Sequence, residues 1–201
     1  MVDLSVAGPN LRVRLPRADD AAALYRHASD PEVTRWFSWG PYESEREAGE
    51  FLAGLPELRA RGEQLDFVIE HREAGTIGVS GLSELSVRDR RATIGTWLGR
   101  RWWATGANHE AKALMCHAAF TLLGLERVGA YANVGHERSQ RALERIGFQR
   151  EGVLRSFHRH GGRSVDVVVF SLLREDWLAG PLRAVPVEVS GAAPSAWVVL
   201  A

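Results

Sequence analysis

Between Leu11 and Leu15 apolar and polar residues alternate strictly, the period-two pattern of a half-buried strand, and Pro16 ends it. The period then lengthens. Asp19 or Asp20 caps a helix whose apolar stripe is Ala21, Leu24, Tyr25 and Ala28, stopped at Asp30-Pro31. Residues 33–42 are irregular and hold Trp36, Phe37, Trp39 and Tyr42. Ser44 and Glu47 form a capping box for a second helix, with Ala48, Phe51, Leu52 and Leu55 inward and an end near Pro56 or at Gly62. Strands follow at 65–70, 76–82 and 92–98, separated by turns near Glu73-Ala74-Gly75 and at 88–91. The best helical period runs through Ala111, Leu114, Met115, Ala118, Ala119 and Leu122, predicting a long helix from about Asn108 to Gly124. A strand at 128–132, a helix at 137–146 closed by Gly147, and a hairpin of 153–159 with 165–172 across Gly161-Gly162 complete the alternation.

The order β α α β β β α β α β β puts three antiparallel strands ahead of a strand–helix–strand crossover. It predicts an α+β (mixed α/β) chain with a mixed sheet and helices on both faces. One domain is expected over residues 1–178, with 179–201 as a C-terminal extension. The runs Val185-Pro186-Val187-Glu188-Val189 and Trp197-Val198-Val199-Leu200 are more apolar than a disordered tail usually is. Docking on the domain, docking on a second copy and disorder remain open for it.

Composition narrows the function. The 201 residues are 45% hydrophobic and 25% charged, ordinary for a globular chain and too few for a typical (β/α)8 barrel. Twenty-five basic and 25 acidic residues cancel, so the broad positive field of a nucleic-acid binder is absent. Lys112 is the sole lysine. Cys116 is the sole cysteine, so no internal disulfide forms, and its apolar neighbours suit a buried thiol. Residues 1–10 lack a signal-peptide pattern and no apolar run approaches membrane-span length. A cytoplasmic protein, monomer or homodimer, without membrane or nucleic-acid partners, is the expectation. His109-Glu110 with His117 has the wrong spacing for a zinc helix, His158 and His160 lack a third ligand in sequence reach, and no P-loop exists, so no metal is expected.

The informative segment runs from Ile94 to Ala111, where a strand ends, a loop of small residues turns and a long helix begins. Unpaired amides and the positive dipole end of a helix N-terminus make an anion site, and Ala104, Gly106 and Ala107 let a phosphate approach the backbone. Arg100 and Arg101 supply charge nearby. An ordinary strand-to-helix connection reads the same from spacing alone.

Several motifs occur in order: Ile94 to Leu98, Trp103-Ala104-Thr105-Gly106, Glu110-Ala111, Glu137-Arg138-Ser139, Ala142-Leu143, Gly147-Phe148, Glu151 to Arg155, and Asp166 to Leu173 before Asp176-Trp177. Together with Leu11 to Pro16 and Asp30 to Val33 they resemble the GCN5-related N-acetyltransferases over about residues 10 to 178. More narrowly, they resemble the branch containing the ribosomal-protein N-terminal acetyltransferases. The resemblance implies a mostly antiparallel sheet in which two parallel strands, 92–98 and 128–132, splay apart to admit the pantetheine arm of acetyl-CoA. It implies that Trp97, Leu98, Arg100, Arg101, Trp103, Ala104, Thr105, Gly106, Ala107, Asn108 and Asn133 bind this co-substrate, with a free N–H around Trp97 to Gly99 polarising the acetyl carbonyl. It also implies direct transfer to an amine, with no acyl-enzyme.

Three departures bear on mechanism. The loop's first and last positions are Trp103 and Asn108, the latter suited to an N-cap. The branch's asparagine before the motif serine is His136. A glutamate frequent two residues before the glycine of Ile-Gly is Thr93. An amine with a pKa near ~10 must lose a proton before attack. Its base is therefore open between Glu84, His136 and water. For the acid that protonates the leaving thiolate, the tyrosine of many relatives is Leu143 here, so Ser139 is the candidate. Trp36, Phe37, Trp39 and Tyr42 fall on the family's acceptor loop, where they wall a pocket or form a satellite core. Two acceptors fit, a small-molecule amine and a protein N-terminal amine. The competing classes are a non-catalytic acyl-CoA-binding module, motivated by Thr93, His136 and Leu143, and an unrelated phosphate-binding protein.

Overall fold

The computed structural model describes residues 3–199. Leu200 of the apolar tail run, and Met1 and Val2 of the expected domain, lie outside them. The elements are β1 (Ser5–Ala7), β2 (Leu11–Arg14), α1 (Ala21–Ala28), α2 (Pro31–Thr34), α3 (Glu45–Ala60), β3 (Gln64–His71), β4 (Gly75–Ser86), β5 (Arg91–Leu98), α4 (Ala107–His117), β6 (Arg127–Asn133), α5 (Glu137–Arg145), β7 (Gln149–His160), β8 (Arg163–Leu173), α6 (Arg174–Ala179) and β9 (Glu188–Ser190). They build one nine-stranded sheet in the order β7-β8-β6-β5-β4-β3-β2-β1-β9. Every neighbouring pair is antiparallel except β5 with β6. The mixed sheet is that expected from the element order, and its single parallel pair is the one the family resemblance implies.

Each face of the sheet has its own core. On one face α4 and the turn that continues it bury Ala111, Leu114, Met115, Ala118 and Ala119 in one core with Ala92, Ile94, Val128 and Ala130. The helix widens at its end into a π turn over 118–122. Burial of one such leucine contributes roughly 1.5–3 kcal/mol. On the other face Ala21 and Leu24 of α1 and Ala48, Leu52 and Leu55 of α3 pack on Val68 and Val79. Alternation along β5 therefore sends Ala92 and Ile94 towards α4, and Thr93, Gly95 and Trp97 the other way.

The differences from the sequence reading have local causes. The strands β1 and β9 have three residues each, too few to show a period. Helix α2 is one turn, capped by Asp30, which accepts the Glu32 amide at 2.9 Å, with Pro31 in its first turn. Helix α3 runs through Pro56 to Ala60, because that proline lies on the exposed side and forfeits one ladder bond without breaking the capping box at Ser44 and Glu47. In the tail, β9 pairs with β1 (Val6 opposite Val189). Trp197 is fully buried and its indole N–H donates to Arg59 O at 3.1 Å. The Val199 amide donates to Leu123 O at 2.8 Å.

Candidate active site

The parallel pair is short. Arg91, Ala92 and Thr93 lie opposite Arg127, Val128 and Gly129, and there the pairing stops. Beyond it β5 continues to Leu98 and β6 to Asn133, leaving a fork between them. Hydrogen-bond parity says which groups face the fork. The Gly99 amide donates to Ile77 O at 2.9 Å, so in this antiparallel ladder the odd residues of β5 bond to β4. The amides of Thr96 and Leu98 then face the open side. The amides of Trp97 and Gly99 are committed to β4, and the Trp97 side chain packs on the α1/α3 core. The same count on β6, from the Val134 amide to Asp166 O at 3.2 Å, turns the backbone of Tyr131 and Asn133 into the fork. The Asn133 Oδ1 accepts the Gly135 amide at 3.0 Å in a local turn.

At the mouth of the fork the chain passes through Trp103-Ala104-Thr105-Gly106 into α4. The N-cap is Gly106, so Asn108, expected as the cap, sits inside the first turn. Ala104 and Gly106 both have positive φ, 60° and 93°. The Glu110 amide is the first to bond back, to Gly106 O at 3.1 Å, while the Ala107 amide meets the Thr105 hydroxyl at 3.4 Å. A Cβ on Gly106 would meet nothing within 4 Å. Amides at a positive helix end facing open space are what a pyrophosphate needs.

The loop is braced towards α5. The Trp103 indole N–H donates to Leu98 O at 2.9 Å, and the Arg138 guanidinium lies 3.6 Å from the Trp103 ring centre. Beside this pair opens a cleft of ≈ 290 Å³ lined by Glu32, Arg35, Trp36, Trp103, His136 and Arg138, among others. Trp36 stacks on His136 with centres 5.0 Å apart and planes 13° apart, so it belongs to this cleft. Its charges are mixed: Arg138 and Arg35 share it with Glu32 and Glu137, and Arg35 pairs with Glu32 at 3.7 Å. Arg100 and Arg101, the basic residues expected beside the loop, are not among those that line this cleft. Arg101 lies 4.9 Å over Trp102, which packs on His71 of β3, on the opposite flank of the loop. Ser139 is half-buried in the first turn of α5, with its amide donating to His136 O at 3.0 Å.

The titratable groups separate in character. His136 is pushed down to about 4 by burial and by Arg138 and Arg35, and its Nε2 is buried without a partner among the described residues. An imidazole that weakly basic stays neutral near pH 7 and is a poor proton acceptor for an amine. Burial pushes the Cys116 thiol up to about 12, so it supplies no thiolate. Glu84 stands apart. The β4–β5 register shifts between Ser83 and Ser86, and Glu84 has φ 53°. Its Oε2 accepts a hydrogen bond from the Thr93 hydroxyl at 2.7 Å and from the Tyr131 hydroxyl at 3.0 Å. Thr93 is the last paired residue of β5, and Tyr131 lies two residues beyond the last paired residue of β6. Glu84 therefore ties both arms of the fork together at its apex. Burial, and the Glu84 charge next to it, raise the Tyr131 pKa and keep that hydroxyl a donor.

The remaining aromatics gather on the α1/α3 face. Trp39 lies 5.2 Å from Phe37, 5.4 Å from Tyr42 and 5.7 Å from Trp97. Sequence reasoning missed Arg138, Arg35 and Tyr131. Arg138 adjoins the motif serine and had a visible signal. Tyr131 becomes meaningful only once β6 is known to flank the fork.

A model of the acetyltransferase (GNAT) domain matches residues 10–149. The chain is 32% identical over 168 residues to an uncharacterized N-acetyltransferase, p20, of Bacillus licheniformis, covering 83% of this chain and 94% of that protein. It is 32% identical over 156 residues to an uncharacterized N-acetyltransferase, YoaA, of Bacillus subtilis, covering 77% of this chain and 88% of that one. Solved structures share the fold, and two illustrate it. One is a GCN5-related N-acetyltransferase from Brucella melitensis, with TM-score 0.78, 24% identity and 87% of this chain and 80% of that chain covered. The other is Mycobacterium smegmatis RimJ in complex with CoA-disulfide, with TM-score 0.78, 22% identity and 86% and 88% covered. The chain belongs to the GCN5-related N-acetyltransferase family and is an acetyl-CoA-dependent acetyltransferase.

Proposed function

We propose that the protein transfers acetyl from acetyl-CoA directly to the amine of a small molecule, with Glu84 as the proton acceptor. The observation that carries this reading is the Glu84 carboxylate held on Thr93, the position where relatives of this kind place their own glutamate. In this reading the carboxylate is supplied from β4 instead of β5, which weighs against a non-catalytic binding module.

Acetyl-CoA supplies an activated thioester. The amides at the tip of α4, with Thr105, Gly106, Ala107 and Asn108, hold its pyrophosphate. The Trp36 ring and the Trp103–Arg138 pair of the cleft hold the nucleotide end by stacking. The fork-facing backbone of Thr96, Leu98, Tyr131 and Asn133 orients the pantetheine arm. The Leu98 amide is the donor aimed at the carbonyl oxygen, a term worth roughly 2.7–4 kcal/mol in comparable sites. Glu84, directly or through one water, takes the proton of the attacking amine, and the Ser139 hydroxyl returns one to the departing sulfur. Cys116 does not serve as nucleophile, since this sole thiol is buried and held protonated.

Trp39, Tyr42 and Trp97 beside the α1/α3 face suit a compact acceptor. The test is mass-spectrometric detection of acetylated product from a panel of amines and N-terminal peptides mixed with acetyl-CoA. Acetylated small amines support the reading. Acetylation of peptides alone overturns the acceptor class, and tight acetyl-CoA binding with no product overturns the enzyme mechanism.

A further inference from the structure

On the face of the sheet that carries Thr93 and Trp97, three residues lie in a row across three strands. Asp66 of β3 is opposite Gly81 of β4, and Gly81 is opposite Gly95 of β5. Gly95 is exposed, and a Cβ built on it would meet nothing within 4 Å. A Cβ on Gly81 would stand 1.8 Å from Asp66 Oδ1. The carboxylate thus leans across Gly81 in the direction of Gly95, and only a residue without a side chain permits it to lie there.

Asp66 is 7% exposed. Its hydrogen-bond partner among the described residues is the Gln64 side chain, and no arginine, lysine or histidine pairs with it. Burial pushes this acid up to about 6, which leaves it charged at pH 7.5. Buried carboxylates are ordinarily paired with a cation, because isolated burial is costly. The chain does this elsewhere: Asp20, equally buried, binds Arg14 at 2.8 Å. Asp66 has the burial without the cation. Around it stand Tyr42, whose pKa its charge helps to raise, and the Trp39–Tyr42–Trp97 cluster, surfaces that suit a cation.

We propose that Asp66 is a specificity-determining residue that binds a second cationic group of the acceptor, while the reacting amine lies at Glu84. The inference rests on the acetyl-transfer reading above. The Asp66 carboxylate lies over Gly81 and that of Glu84 lies on Thr93, one strand over and two residues along, so the two are about 8 Å apart by sheet geometry. A short dication bridges that distance; a monoamine reaches one end only. The ligand supplies the positive charge that the protein withholds.

The test compares 1,4-diaminobutane with butylamine as acceptors for wild type and Asp66→Asn, an isosteric change that removes the charge. The expected result is a KM for the diamine raised roughly 10–100-fold in the variant, with the butylamine KM unchanged and kcat nearly constant. Calorimetric titration of 1,4-diaminobutane into the CoA-loaded protein gives a second readout, independent of turnover, and Asp66→Asn abolishes that binding. A merely structural Asp66 predicts equal losses for both amines and a lowered Tm, and that result overturns the proposal. So does a wild type with no preference for the diamine, or diamine binding unaltered in the variant. If no amine is acetylated while diamine binding still depends on Asp66, the acetyl-transfer reading fails and the cation site stands.

Discussion

The Thr93 hydroxyl donates a 2.7 Å hydrogen bond to the carboxylate of Glu84. The two residues come from adjacent strands, and the register shift in β4 is what brings them together. With Tyr131 donating from β6 at 3.0 Å, the acid is fixed where the parallel strands part. The position that looks deficient in the sequence is thus a holder for a carboxylate carried by its neighbour. Thr93→Val removes one of two anchors and is expected to lower kcat about tenfold, with acetyl-CoA affinity unchanged, measured by steady-state kinetics and equilibrium binding.

Ser139→Ala is expected to lower turnover by roughly 10²-fold while leaving CoA affinity nearly constant, since its hydroxyl acts on the leaving sulfur and not on the phosphates. Unchanged turnover removes it from the acid role.

Gly106→Val places a branched side chain at φ 93°, in the open space before the α4 amides. CoA binding is expected to be lost, at a folding cost of roughly 1–3 kcal/mol from the backbone conformation. Calorimetry on the folded variant checks it, and normal CoA affinity refutes the loop assignment.

Trp197→Ala tests what the tail does for the fold. Its ring is wholly buried and its N–H reaches Arg59 O. The expected loss is about 3–5 kcal/mol in denaturant unfolding. A loss below ~1 kcal/mol contradicts a structural role for residues 188–199.

Asp66 gives a pH signature. Its acid is raised from 3.8 to about 6 in the folded protein. Between those values the native state binds more protons than the unfolded one, so this group's contribution to stability falls as pH rises from about 4 to 6 and stays low above. Asp66→Asn removes the penalty. The variant is expected to be more stable than wild type at pH 7.5, by up to about 3 kcal/mol, with the difference shrinking towards pH 4. Equal stabilities at both pH values contradict the burial argument.

Much of the fold was legible because its long elements carry strong periods. The stripe of Ala111, Leu114 and Met115 specified α4, and Ser44 with Glu47 specified the start of α3. Three-residue strands carry no such signal, and β9 joins the sheet only because Val189 finds Val6 across a long sequence separation. The Gly106 loop was legible as a small-residue turn before a helix. The pairing of Glu84 with Thr93 was not, because a β-bulge changes which face a residue points to and local sequence does not announce it. Trp36 read as one of four acceptor aromatics, yet it stacks on His136, a contact between segments a hundred residues apart. The lean of Asp66 over Gly81 likewise depends on register between strands.

The most direct measurement is steady-state CoA release at pH 8 with acetyl-CoA and a saturating amine, for wild type, Glu84→Gln and the double variant Glu84→Gln/Thr93→Glu. Wild type is expected to turn over and Glu84→Gln to fall by roughly 10²–10⁴-fold with acetyl-CoA binding intact. The double variant, with its carboxylate on β5, is expected to recover a substantial part of the rate. Turnover unaffected by Glu84→Gln contradicts the account.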